Sequence, residues 1–579
     1  MPSETNPQST SNGLSRRAML GGTLAGVAVG LTPMSRMASA SAAVRRNTVT
    51  LSDAGPAYSA TNRYFMAGGY FSNYNDGAVT PNTEAYPVYQ QWCDDSTETG
   101  FTSLAITIPW IRVQPLGPEQ FDFTWVDQYL DYAIRVKDRY VLLIVDETGV
   151  SAPSWLDAAR FAQRTPQGDI ETSHGTFPVF TMNDPIFNAY VTNMYRAIGR
   201  HVLDRYGISK FLGFQNVTWP NMESTYPDGV DLTDYSDSAN KAFRRWVRRQ
   251  YASIQDLNRT WGTSYIKFAD VQFGVETAAK ETDARKFRAW ALADHMRVEY
   301  QAVKSIDPRL AFVIRSGGDD NWQTDGHSEK ATMMAAQWCD VLCEDNEYLS
   351  PLVYPVFGSM AADLNFYRTG ARIRGINWDM EMDYLDMLNN SLSDAESNIQ
   401  YTANGTAGYQ MGAQIVNFCH WERAALSTAG DAQMWTFIPT LSAQTQDPVA
   451  HYEPDKAMYY SYWGGLAGLE ADLRTTYDQA TNNGSLTTPL DVVNILQYAD
   501  IMFEEIDRPE FWLKYKRGIW VPDGRVLAAV EREMLTRAFN DGISLSFTNP
   551  DQVGTLDEYG RPTSPLVAEL SAAGWTPSS

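Results

Sequence analysis

The sequence predicts an α/β chain, a closed (β/α)8 TIM barrel with a smaller C-terminal α/β module. Three observations lead there. From about residue 62, short β-rich runs alternate with longer amphipathic stretches, the pattern of a parallel α/β fold. Eight such runs precede residue 420, the number a barrel needs to close. At 579 residues the chain exceeds one ordinary domain, and a barrel of ~250 residues or more leaves room for one addition.

The chain begins with a targeting pattern. Ser15-Arg16-Arg17-Ala18-Met19-Leu20 leads into a Gly- and Ala-rich apolar run to Leu31, and Ala38-Ser39-Ala40 follows as a small-residue cleavage site. This resembles a twin-arginine export signal. The apolar run is too short and too Gly-rich for a stable membrane span. Residues 1–43 are therefore expected to be a signal peptide, 44–440 the barrel and 441–579 the module. The mature protein is expected to be secreted or extracytoplasmic, without membrane contact once the signal is removed.

The expected barrel strands are Arg63 to Tyr70, Thr102 to Ile108, Tyr140 to Val145, Phe211 to Val217, Ala311 to Ser316, Val341 to Glu344, Arg372 to Met380 and Ala413 to Cys419. Each is short, rich in β-branched or aromatic residues, and apolar enough to be buried on both faces. Between them, Phe123 to Lys137, Ile186 to Tyr206, Ala239 to Tyr251 and Thr282 to Ile306 have helical periodicity. In the module, Arg517 to Pro522 and Ile543 to Phe547 read as strands around a helix, Arg525 to Asn540, while Thr475 to Pro489 reads as a loop.

Barrel chemistry sits at the carboxyl ends of the strands. There the sequence places Trp110, Asp146 and Glu147, Asn216 to Glu223, Arg315 and Asp319, Glu344 and Glu347, Trp378 and Glu381, and His420 and Trp421. Carboxylates and indoles dominate. No Ser-His-Asp order, phosphate-cradling Gly loop or dinucleotide fingerprint stands at a strand end, so no cofactor is expected. The net charge of −23 argues against nucleic acid or an anionic membrane as partner. Cys93, Cys339, Cys343 and Cys419, with six scattered histidines, lack the paired spacings of a zinc site, so no metal is expected.

Two carboxylates facing one glycosidic bond are what its hydrolysis requires, one to protonate the leaving oxygen and one to attack or stabilise the anomeric carbon. Glu381, in Trp378-Asp379-Met380-Glu381-Met382-Asp383, is the candidate nucleophile, expected at a turn past the seventh strand; Asp379 and Asp383 are its alternatives if the register slips by two. Glu223, in Trp219-Pro220-Asn221-Met222-Glu223, is the candidate acid/base. Glu344 and Glu347 compete with it as substrate ligands or as the acid. Trp110, Trp378 and Trp421 are candidate sugar-stacking rings, and Arg315 a candidate partner for a catalytic carboxylate.

Several segments together resemble the family 42 glycoside hydrolases, the β-galactosidase type of the retaining (β/α)8 clan. They are Tyr251 to Thr263 (YASIQDLNRTWGT), Gly100 to Trp125 with Phe121-Asp122-Phe123, Pro153-Ser154-Trp155-Leu156, Asn417 to Trp421, and Trp378 to Glu381, which looks like that family's nucleophile strand. The resemblance covers about residues 62 to 425. It implies retaining hydrolysis by two Glu residues, an oligosaccharide or polysaccharide substrate and a homo-oligomer. It also implies an Asn-Glu dipeptide at the end of the fourth strand. Without a gap that dipeptide falls on Thr218 and Trp219, whereas a small insertion brings Asn221 and Glu223 into the roles, with Asn221 contacting substrate. An acid the family usually carries near Gln114 is also absent. These departures widen the expected substrate from a β-galactoside to a related glycoside, and leave open an inverting enzyme with another acid or a non-catalytic carbohydrate-binding barrel.

Overall fold

The computed structural model describes residues 57–69, 85–173, 175–218, 224–226, 233–315, 335–346, 368, 370–371, 376–383, 402, 405–406, 408–410, 412–419, 431–443, 456–460, 491–494, 515–522 and 524–576. The expected signal segment, the loop at Thr475 to Pro489, and Asn221, Glu223, Asp319, Glu347, Tyr384, His420 and Trp421 lie outside the described residues.

Eight strands close into one barrel in which every neighbouring pair is parallel. They are β1 (Tyr64–Gly69), β2 (Ser103–Pro109), β3 (Tyr140–Asp146), β4 (Phe211–Val217), β5 (Ala311–Arg315), β6 (Val341–Asn346), β7 (Asn377–Asp383) and β8 (Ile415–Cys419). Each strand pairs with its sequence neighbours, and β8 closes on β1 through Tyr64 opposite Ile415. Closure puts alternate residues on two surfaces. Tyr64, Met66, Leu142, Ile144, Val313, Val341 and Cys343 pack together in the lumen. Phe65, Leu104, Ile106, Leu143, Phe214, Ile314 and Phe418 pack outward against the helices.

Helices wrap the outside. Four of those described are α1 (Ala85–Glu98), α2 (Pro185–Tyr206), α3 (Asp237–Gln250) and α4 (Ile254–Trp261), and the longest is α5 (Ala278–Ile306). Their starts are set by side-chain caps: Asp184 accepts from the amides of Ile186 and Phe187 with Pro185 opening α2, and Ser236, Ser253 and Thr277 cap α3, α4 and α5. Gly262 ends α4 in the left-handed conformation, at φ 71°.

A second, four-stranded parallel sheet lies in the C-terminal part, built from β9 (Lys456–Tyr460), β10 (Asp491–Asn494), β11 (Gly518–Val521) and β12 (Leu545–Phe547), in the order β10-β9-β11-β12. With α6 (Ala529–Asn540) it encloses a separate core around Ile519, Val521, Met534, Leu535 and Leu545. This part touches the barrel layer at α5, where the Tyr559 hydroxyl donates to Asp283 at 3.1 Å and Lys286 pairs with Glu558 at 3.5 Å.

Strand β4 depends on one glycine. Gly213 has φ 147° and lies where the β3–β4 register shifts; a Cβ there would stand 2.0 Å from the Ala311 carbonyl oxygen on β5. Backbones this close exclude any side chain. Gly213→Ala is expected to lower the unfolding free energy by about 2 to 4 kcal/mol in urea denaturation, from strain and overpacking together. Gly168→Ala, at φ 91° with nothing within 4 Å, is expected to lose only about 1 kcal/mol.

Candidate active site

The polar side chains of the lumen gather toward the carboxyl ends of β5 to β8. Strand β7 runs to Asp383, so Glu381 stands inside the strand, opposite Asn417 on β8 and Asp345 on β6. The sequence reading, which ended this strand at Met380 and put Glu381 at a turn, is corrected on that point. The physical reason is period-two alternation: Trp378, Met380 and Met382 join the outer apolar layer, which turns Asp379 and Glu381 to the lumen and carries the ladder past the acids.

Glu381 is 1% exposed. Its Oε1 pairs with Arg315 at 2.9 Å, and its Oε2 accepts from Asn417 Nδ2 at 3.0 Å and faces the Cys343 thiol at 3.7 Å. Arg315 is equally buried, so a charge pair sits wholly inside the barrel. Asp379, two residues earlier on the same face, is fully buried; desolvation first, then the charge of Glu381, pushes its pKa well above the usual carboxylate range, against the smaller effects of Cys343 and Arg315. Asp379 is thus favoured as the neutral acid, which leaves Glu381 and Arg315 as a balanced pair of charges. At the end of β3, Asp146 accepts from the Ser151 hydroxyl and from the Thr148 amide at 3.0 Å, and burial raises its pKa. It clips the chain leaving β3.

The stretch after β4 is pinned at both sides. The Thr225 amide donates to Thr218 Oγ1 at 2.9 Å, and the amide of buried Ser224 donates to the Arg315 carbonyl at 3.1 Å. The residue following Glu223 is therefore fixed at the end of β5, beside the arginine that holds Glu381.

Two indoles expected to stack on sugar are placed elsewhere. Trp378 points out of the barrel, by the alternation that turns Glu381 inward, and is 5% exposed in the outer layer. Trp110 is fully buried, donates through Nε1 to Gln114 at 2.6 Å, and packs edge-on to Trp155 and tilted on Phe187. Neither offers a face to a ligand. Glu344 lies in β6 opposite Met380, its side chain outside the described residues. Among the described residues, Arg315 is the substrate-binding candidate whose side chain meets the nucleophile candidate. The segment Tyr251 to Thr263 builds α4 on the outside, where Trp261 donates to Asp283 at 2.8 Å.

With this geometry in view, the relatives can be placed. A family model described as β-galactosidase, that of glycoside hydrolase family 42, matches residues 88–448. The chain belongs to glycoside hydrolase family 42. The β-galactosidase BbgII of Bifidobacterium bifidum is 23% identical over 267 residues, 42% of this chain and 36% of its own length. A β-galactosidase from an Arthrobacter species is 24% identical over 254 residues, 40% of this chain and 33% of its own. The chain thus spans about a third of the length of the curated relatives it matches. In fold it is similar to the β-galactosidase from Rahnella sp. R3, with a TM-score of 0.64 at 14% identity over 90% of this chain and 76% of that one. That similarity is one of fold, in keeping with the closed parallel barrel.

Sequence reading missed one polar cluster. Behind β3 and β4, Glu147, His295 and Glu299 place their ligand atoms within 4.8 Å of one another, the one such group among the described residues. The His295 Nε2 to Glu147 Oε1 separation is 2.6 Å, a hydrogen bond. Two ligands on a zinc at bond lengths of 2.0–2.1 Å would stand roughly 3.3 Å apart, so the contact suits a proton rather than a metal. The signal in the sequence was a His and a Glu four apart within the apolar stripe of α5, invisible without the fold that brings Glu147 across 148 positions. A groove of ≈ 500 Å³ also lies among α2, α3 and α5, lined by Asn183, Arg196, Arg245, Trp290 and Asp294, away from the lumen carboxylates.

Removing one partner from a buried ion pair leaves the other charge uncompensated. Arg315→Met is expected to lower the unfolding free energy by about 3 to 5 kcal/mol, and adding Glu381→Gln to recover a large part of that loss; a double-mutant cycle in urea measures the coupling.

Proposed function

We propose that this protein is an exported glycosidase that cleaves a β-galactoside or related glycosidic bond of an oligosaccharide by retaining double displacement. The observation that carries the reading is Glu381, held in the barrel lumen near the carboxyl end of β7 by Arg315 and Asn417, in a chain of the family 42 glycoside hydrolases. A nucleophile must present a fixed, ionised oxygen to the anomeric carbon. Arg315 stabilises negative charge on Glu381, and Asn417 fixes the rotation of the carboxylate. The glycosyl–enzyme bond forms at a Glu381 oxygen as the leaving oxygen takes a proton from Glu223; the same Glu223 then takes a proton from the water that releases the sugar.

Support for Glu223 comes from its neighbour, since Ser224 is bonded at the end of β5, on the strand that carries Arg315. Export follows from the twin-arginine pattern at Ser15 to Leu20, with the mature chain starting near residue 44. The substrate class rests on the family together with the names of relatives such as BbgII and the Arthrobacter enzyme.

Glu381→Gln is expected to reduce hydrolysis of nitrophenyl β-galactoside by about a thousandfold or more, and wild-type activity in that variant would reject Glu381 as nucleophile. Glu223→Ala is expected to lose about 10²- to 10⁴-fold, with azide restoring turnover as the glycosyl azide. Proton NMR of the first-formed sugar is expected to show the anomer of the substrate; the opposite anomer would establish inversion.

A further inference from the structure

The cluster behind β3 and β4 contains more titratable groups than a structural clip needs, and its hydrogen bonds dictate where the protons sit. Asn188 on α2 donates through Nδ2 to the Met182 carbonyl at 3.1 Å, which turns its Oδ1 toward His295. His295 Nδ1 therefore carries the hydrogen and donates to Asn188 at 3.0 Å. Nε2 then presents a lone pair to Glu147 Oε1 at 2.6 Å, a contact that holds only with a proton between them. Burial pushes Glu147 well up and His295 down, so the proton resides on Glu147 and both groups are neutral.

Glu299, one turn beyond His295 on α5, accepts from the Tyr195 hydroxyl at 3.1 Å on one oxygen and from Asn216 Nδ2 at 3.0 Å on the other. Its carboxyl also lies near that of Glu147, the ligand atoms of the two acids and His295 all falling within 4.8 Å of one another. The Glu147 Oε2 atom has no hydrogen-bond partner among the described residues, and Glu299 is the acid beside it. Burial first, then the proximity of Glu147, raises Glu299 to about 8. Around the cluster, Asp146 faces Glu147 from β3, Tyr195 faces Glu299 from α2, and Asp294 faces His295 from α5.

These bonds end on the backbone that frames the site. Glu147 directly follows Asp146 at the end of β3. Asn216 lies one residue before the end of β4, and its carbonyl accepts from the Ser224 hydroxyl at 3.5 Å. We propose that Glu147, His295 and Glu299 are positioning residues that, from behind the barrel, fix the ends of β3 and β4 through their hydrogen bonds, and with them the segment carrying Glu223. The inference rests on the retaining hydrolase reading for its catalytic consequence and on the hydrogen bonds alone for its structural one.

A carboxyl raised in the folded state contributes stability that is fully present below its ordinary value of 4.5 and is lost as pH rises through about 8. Gln at Glu147 supplies an amide hydrogen toward His295 where the acid supplies its own, whereas Gln at Glu299 no longer titrates but keeps one of its two acceptors. Glu147→Gln is therefore expected to keep kcat within about threefold of wild type near pH 6. Glu299→Gln is expected to flatten the fall in urea midpoint between about pH 5 and 8. Glu299→Ala, which removes both acceptors, is expected to lower kcat about tenfold or more with KM little changed.

Hydrogen exchange reads the same device without turnover. The protection factor of the Ser224 amide is expected to fall in wild type as pH rises through about 8, and to hold in Glu299→Gln. A wild-type-like pH dependence of urea midpoint and Ser224 protection in Glu299→Gln would overturn the proposal, as would undiminished kcat in Glu299→Ala. A protein inactive on every glycoside would remove the hydrolase reading, while the exchange measurement would still decide whether the cluster holds the β4 end.

Discussion

The Arg315–Glu381 pair sets the terms for the rest of the barrel interior. Taking both charges out of water costs several kcal/mol for each, and their attraction offsets this only when the contact is close and the remaining polar atoms are met. The barrel supplies the close contact by rigid placement. Arg315 ends β5, Glu381 lies two strands away on β7, and Asn417 is its register partner on β8. Asp379 could add a second negative charge at the same level, but its burial favours the protonated form. One fixed carboxylate, balanced by one guanidinium, is what the nucleophile proposed here needs.

The same alternation that turns Glu381 inward turns Trp378 outward, so acid and indole cannot share one strand face. The result separates two uses of aromatic residues that composition alone runs together. Trp110, Trp378 and Trp261 serve packing, each with its ring enclosed and, for Trp110 and Trp261, the indole N–H bonded to Gln114 and Asp283. Gln114, at the place where the family resemblance would put an acid, completes the Trp110 contact and bonds the Pro118 carbonyl at 2.6 Å. An acid there in place of the amide would lose the donor that makes this second bond.

The outer layer is not inert filling. Between β3, β4, α2 and α5 it holds three buried titratable groups, Glu147 pushed up and His295 pushed down by desolvation, and Glu299 raised to about 8. Such groups are held by the bonds of His295 to Asn188 and Glu147 and of Glu299 to Tyr195 and Asn216, and hydrogen bonds specify one geometry more sharply than apolar contact does. The C-terminal part meets α5 near its start, through Tyr559 and Glu558.

How much of this was legible in the sequence follows from the range over which each feature is determined. Eight β-rich runs and the helices between them are local patterns, and the observed strands match them closely from β1 to β5 and at β8. The C-terminal strand-helix-strand unit was equally legible, while β9 and β10 of the same sheet were not marked by a clear alternation. The carboxylate on β7 was visible as well, although its acidic neighbours made the strand end appear too early. What the sequence by itself determined is therefore the barrel, the family-like segments and the candidacy of Glu381. What only the tertiary structure decided is which groups meet: Asn417 from 36 positions away at Glu381, His295 from 148 positions away at Glu147. Local periodicity assigns a residue to a face, but only barrel closure and helix packing determine which residue of another strand or helix stands opposite, because that depends on register and shear summed over the whole sheet.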